Sequence, residues 1–201
     1  MAIQLDRSAL LQRVGAGTDL PGWRLRAACA GVDGSAASRR RLGLSSVQWL
    51  AALPALGDVL YLCNRVGSPT RDEVRPGALV ESIELAPLLQ WRSLEAVTEI
   101  TRNGPREWIE CLAAEARIAA RLYLLPDTDY LAWDALHAGA IPLSCEGPGA
   151  GAATWSPARV QLLRFRTRRV GGLEMLGCDS ASDISSLSRQ LAGRLARDEV
   201  A

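Results

Sequence analysis

The sequence predicts an α+β fold, with helices at both ends packed on a meandering antiparallel β-sheet. Three observations predict it. Apolar residues recur at helical spacing in residues 3–14. They do so again near the end of the chain, at Ile184, Leu187, Leu191 and Leu195. Between these segments lie short apolar or alternating runs separated by Gly, Pro and Asn, which is typical of strands joined by turns. Helices and strands segregated along the chain indicate the α+β class.

The composition indicates one globular domain over residues 1–201. Hydrophobic residues make up 48% and charged residues 22% of the chain, which is ordinary for a folded domain of this length. The net charge of +1 gives no electrostatic reason to expect nucleic acid as a partner. All 23 basic residues are arginine, and the local cluster Arg39-Arg40-Arg41 is interpreted as a solvated approach to a helix.

Cysteine usage predicts a reducing compartment, and hydropathy predicts neither a signal peptide nor a membrane helix. The five cysteines include no Cys-x-x-Cys pair, which argues against both a zinc site and a disulfide framework. The start of the chain carries Asp6 and no long apolar run, so no signal peptide is expected. No apolar stretch approaches the roughly 20 residues of a membrane helix. We therefore expect a cytoplasmic protein with no membrane partner.

The first helix and strands follow from local signals. Ser45 and Ser46 can cap a helix that Pro54 interrupts, and residues 58–63 form an apolar run typical of a buried strand. Residues 78–85 alternate and predict another strand. Residues 94–100 are rich in β-formers, and Asn103-Gly104 after them is a hairpin signal.

The second half of the chain has equally clear signals. Residues 144–151 form a Gly- and Pro-rich loop. Residues 159–168 alternate, with Arg164, Arg166 and Arg168 on one face, and predict a half-buried strand. Gly171-Gly172 marks a turn into a strand over residues 173–176. Residues 179–182 then offer caps for the last helix.

Two sequence blocks resemble a known bacterial family. In the first, Arg121-Leu-Tyr-Leu-Leu is followed by Pro126, three polar residues and, after Tyr130, Leu-Ala-Trp-Asp-Ala-Leu. The second is Leu-Pro-Ala-Leu-Gly-Asp-Val-Leu-Tyr-Leu at residues 53–62, with Asn64-Arg65 after it. Both resemble the hemin-transport family of HemS- and ChuX-like proteins. The family-like core spans about residues 41–142, followed by the loop at 143–157 and the strands and helix of 158–201.

The resemblance changes the interpretation of residues 107–122. Helix propensity favours a helix there, because Ala-Ala-Glu-Ala separates its apolar residues. The family pattern instead implies a strand at residues 108–112, a tight turn at 113–116 and a strand at 117–124, and we adopt this hairpin. The family usually has Gly at the position of Ala116. The chain has no internal repeat, which resembles the single-copy members and implies a homodimer.

The resemblance implies heme as the ligand. Family members bind heme through a His a few residues after the Asn-Arg turn, and that position falls on Thr70 or Arg71 here. Neither is a usual axial ligand of heme iron, so the chain lacks the family's ligand. His137 is the only histidine and is a substitute candidate. Its position near a helix end predicts a half-buried, structural residue.

Other candidate heme contacts are an aromatic residue and several arginines. Trp91 and Arg92 fall where the family carries an aromatic and basic cluster, although a core role for Trp91 is the alternative. Arg164 and Arg166 suit propionates, because guanidinium groups bind carboxylates with two hydrogen bonds. The alternative is a solvated edge strand whose charges block aggregation.

Two functions follow from these observations. The first is cytoplasmic heme binding or heme trafficking in iron acquisition. The second is a heme-type fold that has lost heme ligation and acts as an interaction or regulatory module. The sequence has no dinucleotide, P-loop, zinc-protease or serine-hydrolase motif, so no enzyme activity is predicted, and heme degradation is the weakest alternative.

Overall fold

A computed structural model describes residues 29–30, 36–64, 79–143 and 155–200. The described strands form one nine-stranded sheet. In chain order they are β1 Cys29–Ala30, β2 Ala36–Leu42, β3 Asp58–Cys63, β4 Ser93–Thr101, β5 Gly104–Leu112, β6 Ile118–Tyr123, β7 Ile141–Pro142, β8 Arg159–Val170 and β9 Leu173–Ser180. The helices are α1 Ser46–Ala52, α2 Tyr130–Leu136 and α3 Ser186–Val200, with 3₁₀ turns at Leu53–Leu56, Ile83–Leu88 and Ala114–Ala116.

The strand order is β1-β2-β4-β5-β6-β3-β8-β9, and the paired strands run antiparallel. The short strands β1 and β7 pair with successive parts of β2. The prediction was a meandering antiparallel sheet with helices at both ends, and its antiparallel sheet is confirmed. The predicted first helix, residues 3–14, and the predicted loop, residues 144–151, lie outside the described residues.

The strands β4, β5 and β6 form the meander implied by the resemblance. The β4–β5 hairpin closes through Arg102 and Asn103, with Thr101 paired to Gly104. The β5–β6 hairpin turns through Ala114–Ala116. Its residues Glu115 and Ala116 have φ angles of 59° and 55°, in the left-handed region that favours glycine. The predicted hairpin is therefore confirmed, and the tertiary pairing overrides the local helix propensity.

The two family-like blocks meet directly. All six residues of β3 are buried, and β3 pairs with β6 through partners such as Leu60 and Tyr123. The Thr128 hydroxyl donates to the Asp58 carbonyl at 2.6 Å and accepts from the Leu125 amide at 2.9 Å. Asp129 then caps α2, because its carboxylate accepts from the amide of Ala132. The blocks thus form one hydrogen-bonded unit.

Side chains alternate between the two faces of the sheet, and each face has its own core. The α1/α2 face is the larger, and its buried residues include Trp49, Leu53, Val59, Tyr61, Ile109, Leu122, Trp133 and Phe165. The α3 face includes Leu60, Leu62, Val97, Trp108, Tyr123, Ile184, Ala192 and Leu195. Helix α1 begins at a capping box in which Ser45 and Gln48 exchange hydrogen bonds, as the Ser45-Ser46 signal predicted.

Three local predictions are wrong. The strand predicted over residues 78–85 is not formed by the described residues 79–85: Val80 makes a single bridge to Leu176, and the chain then turns into the 3₁₀ segment Ile83–Leu88. Residues 179–182 do not cap the last helix, because pairing with β8 extends β9 to Ser180. Ser185 caps α3 instead and accepts from the amide of Ser188. The Arg39 cluster lies in β2 and does not approach a helix.

Candidate functional site

His137 ends helix α2 and is half-buried, as expected from its position. Its Nδ1 atom lies 2.8 Å from the carbonyl oxygen of Trp133, and the two rings are 5.7 Å apart. In the tautomer in which Nδ1 donates to this carbonyl, the Nε2 lone pair is free. Metal-binding histidines use the same second hydrogen bond to fix their ring. His137 therefore has the donor chemistry of an axial ligand.

The candidates near the β4 start have different environments. Trp91 is 6% exposed and belongs to the α1/α2 core, which matches the core role considered for it. Arg92 is exposed, and its backbone amide donates to the Leu112 carbonyl at 2.6 Å. Arg71 and Thr70 lie outside the described residues.

The arginines of β8 are held by carboxylates of the same chain. Arg164 makes a bidentate pair with Asp58, at 3.0 and 2.7 Å. Arg166 contacts Asp179 at 3.0 Å and Glu81 at 2.8 Å, and Arg168 contacts Glu81 at 2.6 Å. The hydrogen bonds to Asp58 raise the pKa of Arg164.

The edge-strand alternative is wrong for Arg164 but stands for the rest of the strand. Strand β8 pairs with β3 over residues 159–164 and with β9 over residues 163–170, so Arg164 lies between two strands, whereas Arg166 and Arg168 pair with a strand on one side. Its buried residues Leu163 and Phe165 pack in the α1/α2 core, while Arg164 shares the opposite face with its partner Asp58.

The sequence-predicted candidates within the described part of the chain do not converge on one site. Trp91 and the α2 residue Trp133, which contacts His137, belong to the α1/α2 core. Arg164 and Arg166 project from the other face of the sheet. One ligand cannot contact both sets across the sheet.

The structure assembles a different polar cluster on the α3 face, here called the Arg121 cluster. It comprises Arg106 and Trp108 of β5, Arg121 and Tyr123 of β6, Trp155, and Asp198 and Glu199 of α3. The guanidinium of Arg121 lies over two rings, 5.7 Å from the centroid of Trp108 and 4.9 Å from that of Trp155. Trp108 also stacks on Tyr123 with centroids 5.4 Å apart.

Helix α3 supplies the carboxylates of the Arg121 cluster. Glu199 contacts Arg121 at 2.5 Å and accepts from the Tyr123 hydroxyl and the Trp155 indole. Asp198 contacts Arg106 at 2.6 Å. Burial raises the pKa of Tyr123, and the Glu199 carboxylate raises it further because it is negatively charged and accepts a hydrogen bond from the phenol. The phenol therefore stays protonated and donates to Glu199.

A fully buried glutamate lies beside this cluster. Glu110 is 0% exposed and contacts Arg121 at 2.8 Å and Arg39 at 2.7 Å. Its cross-strand neighbour is Glu95, and Arg39 also contacts that carboxylate at 3.2 Å. Burial by itself would raise the pKa of Glu110, but the guanidinium groups of Arg121 and Arg39 outweigh it and lower the pKa. Glu110 is therefore held as a paired carboxylate.

Part of the Arg121 cluster has a local signal in the sequence. Alternation places Arg106, Trp108 and Glu110 on one face of β5, and it places Arg121 and Tyr123 on one face of β6. With the predicted turn at residues 113–116, Trp108 pairs with Tyr123. Trp155 and Glu199 are joined only by tertiary structure and had no local signal.

Other kinds of site are not formed by the described residues. Among them, no three His, Cys, Asp or Glu side chains are grouped to hold a metal ion. No helix within the described ranges is long and apolar enough to cross a bilayer. Between α1 and β9 lies a pocket of about 70 Å³, lined mainly by Val47, Leu50, Ala51, Leu79, Met175 and Leu176. It is far below the roughly 300 Å³ of a small-molecule site.

No protein-family model matches the sequence, and no curated protein matches it. The structure is similar to the heme-degrading enzyme ChuS of Escherichia coli O157:H7, at 21% identity and a TM-score of 0.39, covering 58% of this chain and 38% of ChuS. Another ChuS structure, described as an E. coli heme oxygenase, is similar at 21% identity and a TM-score of 0.38, covering 55% and 37%.

A third similar structure is holo-PhuS, a heme-binding protein from Pseudomonas aeruginosa. The identity is 22% and the TM-score 0.39, with 58% of this chain and 39% of PhuS covered. The match therefore spans less than two fifths of the length of each of these three neighbours.

Proposed function

We propose that this protein binds heme, or passes it to another protein, during bacterial iron acquisition. The proposal includes a cytoplasmic location and a homodimer of single-domain subunits. One observation carries it: the two blocks that resemble the hemin-transport family form a single hydrogen-bonded unit. They are joined by the β3–β6 pairing and by the Thr128–Asp58 bond.

Each face of the sheet offers groups that suit heme, His137 beside the α1/α2 core and the Arg121 cluster on the α3 face, and a single heme can use only one of the two faces. Heme iron takes an imidazole ligand, and the Nδ1 contact of His137 leaves Nε2 able to bind a metal. The porphyrin plane and its two propionates call for aromatic rings beside guanidinium groups, and the Arg121 cluster combines them. The cofactor supplies redox and ligand-binding chemistry at iron, while this chain supplies the groups that hold and orient it.

The proposal is tested by titrating the purified protein with hemin and following the Soret band. We expect a saturable shift, together with thermal stabilisation of about 2.7 kcal/mol at a hundredfold excess over the dissociation constant. Bovine albumin and a heat-unfolded sample serve as positive and negative controls. A shift that grows linearly with hemin, equal in folded and unfolded samples, would contradict the proposal.

A second function is favoured by one observation. The Arg164 and Arg166 side chains are already paired with Asp58, Asp179 and Glu81. Asp58 and Asp179 belong to strands β3 and β9 of the sheet and cannot move away as the end of a helix can, so these guanidinium groups are less available to propionates. This favours a domain that keeps the fold and binds a protein instead. Pull-downs from cells with and without hemin separate these functions. Capture that depends on hemin supports heme handling, and equal capture of the same protein without hemin supports the interaction module.

A further inference from the structure

The Arg121 cluster has the features of a ligand site that is occupied by the protein itself. Arg106 lies four residues before Glu110 on β5, and Glu110 pairs with Arg121 of β6. The backbones of the two arginines are therefore about 13 Å apart along the strand direction. Their guanidinium groups nevertheless converge on the carboxylates of two consecutive residues, Asp198 and Glu199. Beside them lie the stacked rings of Trp108 and Tyr123.

We propose that the Arg121 cluster is a binding site for a planar aromatic ligand with two neighbouring carboxylates, and that α3 acts as a strap that covers it. In the structure described here Asp198 and Glu199 stand in for the carboxylates of the ligand. Binding exchanges the two helix carboxylates for those of the ligand and opens the ring faces beside Arg121. The inference rests on the proposed function when that ligand is heme, whose propionates are such a carboxylate pair.

The attachment of α3 is suited to this exchange. Only Ser188, Ala192 and Leu195 are buried among the fifteen residues of α3. Its last turn is held by ion pairs and by hydrogen bonds from Tyr123 and Trp155. These contacts can be replaced by a ligand that offers the same charges, while Ala192 and Leu195 keep the preceding turns of α3 packed in the α3-face core.

The guanidinium of Arg121 also has an unused donor. Its two terminal nitrogens contact Glu199 and Glu110, while its Nε atom is buried and has no hydrogen-bond partner among the described residues. A buried donor left without a partner is costly. Nε shares one edge of the guanidinium with the Nη2 nitrogen that pairs with Glu110, so a ligand carboxylate that approaches this edge would supply the partner that Glu199, bound to Nη1, does not.

Removing the strap charges tests the inference. The double variant Asp198→Asn with Glu199→Gln keeps the side-chain shapes and frees the two guanidinium groups. A control variant, Glu115→Gln with Glu174→Gln, makes the same change in net charge at exposed positions away from α3. Hemin is titrated into the wild type and both variants. Because the covered state no longer competes, the apparent dissociation constant of the strap variant should fall about tenfold relative to the control.

Limited trypsin digestion provides a second measurement on the wild-type protein. Arg197 lies in the last turn of α3 and is exposed. If hemin displaces the strap, cleavage after Arg197 should accelerate as hemin is added. Arg106→Gln should weaken hemin binding and remove this acceleration, and its circular dichroism spectrum shows whether the fold is kept.

The outcomes separate the two proposals. Saturable hemin binding by the wild type, with equal affinity in the strap and control variants, overturns the strap and leaves heme binding standing. Slower cleavage after Arg197 with hemin also overturns it, because α3 would then close over the ligand. Binding by the strap variant alone supports the strap. Failure of every variant to bind hemin contradicts both.

Discussion

On the α1/α2 face of the sheet, Trp49, Leu53 and Trp133 are sealed from solvent by packing against other apolar side chains. The α3 face buries aromatic rings too, but it also buries Glu110 and holds Arg121 between two tryptophans. Apolar packing has no charge that a ligand could replace. A paired charge can be replaced by a ligand of the same sign. The α3 face is therefore where a charged ligand can exchange with the protein's own groups.

The stability that the α1/α2 face contributes should depend on the volume of its buried side chains. Trp49 is 0% exposed, and replacing it with Ala removes a large side chain from a closed core. We expect Trp49→Ala to lower the free energy of unfolding by about 4 kcal/mol, measured by urea denaturation. Val47 lies on the same helix and is 55% exposed, so Val47→Ala is the matched control and should cost less than about 0.5 kcal/mol. Equal losses in the two variants would show that α1 does not seal this core.

The stability that the α3 face contributes should depend on the ion pairs of its buried charges. Arg121→Met keeps an unbranched side chain but leaves Glu110 with Arg39 as its only ion-pair partner among the described residues. We expect a loss of about 3 kcal/mol in the free energy of unfolding. Arg117→Met, at an exposed position in the turn before β6, is the control. Adding Glu110→Leu to Arg121→Met should recover part of the loss, because the unpaired charge is gone. A further loss of full size would show that the two residues act independently.

The stability of the protein should also depend on pH through the α3 face, where Glu110 is buried. Because the pKa of Glu110 is lowered in the folded protein, its stabilising effect is present above the unfolded pKa of about 4.3. That effect is lost as the pH falls through the folded pKa. We expect the stability of the wild type to decline below about pH 4.3. In Glu110→Gln the same decline should be shallower, as followed by thermal unfolding from pH 7 to 3. Parallel curves for the two proteins would contradict this role of Glu110.

The β5–β6 turn lies outside both cores and provides a smaller test. Ala116 has a φ of 55°, a conformation that costs a residue with a side chain about 1 kcal/mol or more. Ala116→Gly should therefore stabilise the protein by up to about 1 kcal/mol in urea denaturation. Ala114 lies in the same turn outside the left-handed region, so Ala114→Gly should be neutral or destabilising. The same sign for both changes would mean that the turn is not strained at Ala116.

The smallest expected effect is at His137. Its ring contacts Trp133 at the end of α2, so His137→Ala should change the free energy of unfolding by less than about 1 kcal/mol. It should leave the hemin spectrum unaltered if the ligand binds on the α3 face. Loss of a low-spin spectrum in this variant would place the iron at the α1/α2 face instead, with His137 as its ligand.

Sequence reasoning predicted elements whose signals are local. The apolar run of β3, the Ser45 cap and the Asn103-Gly104 hairpin each depend on a few adjacent residues. The β5–β6 hairpin needed the family resemblance, because Ala and Glu in its turn indicate a helix by propensity. Residues 78–85 alternate like a strand. Alternation alone does not show whether a neighbouring strand pairs with the whole segment.

The candidate site was harder to predict for a related reason. Arg164 and Arg166 were correctly placed on one face of a strand, but their partners Asp58, Glu81 and Asp179 come from three other segments. A charge pattern in one strand shows which face is basic and does not show which carboxylates neutralise it. The contact between Glu199 and Arg121 joins residues 78 positions apart, beyond the reach of any local pattern.

The position of β3 has a consequence for how the chain folds. Its neighbours in the sheet, β6 and β8, lie about 60 and 100 residues later in the chain. The meander β4–β6 and the β8–β9 hairpin can each form from adjacent segments. Strand β3 can complete its pairing only after both β6 and β8 are in place. Closing such long loops costs entropy before any pairing is gained. The family-like unit is therefore expected to assemble in the late, slow phase of folding, when its central strand is inserted between two preformed hairpin systems.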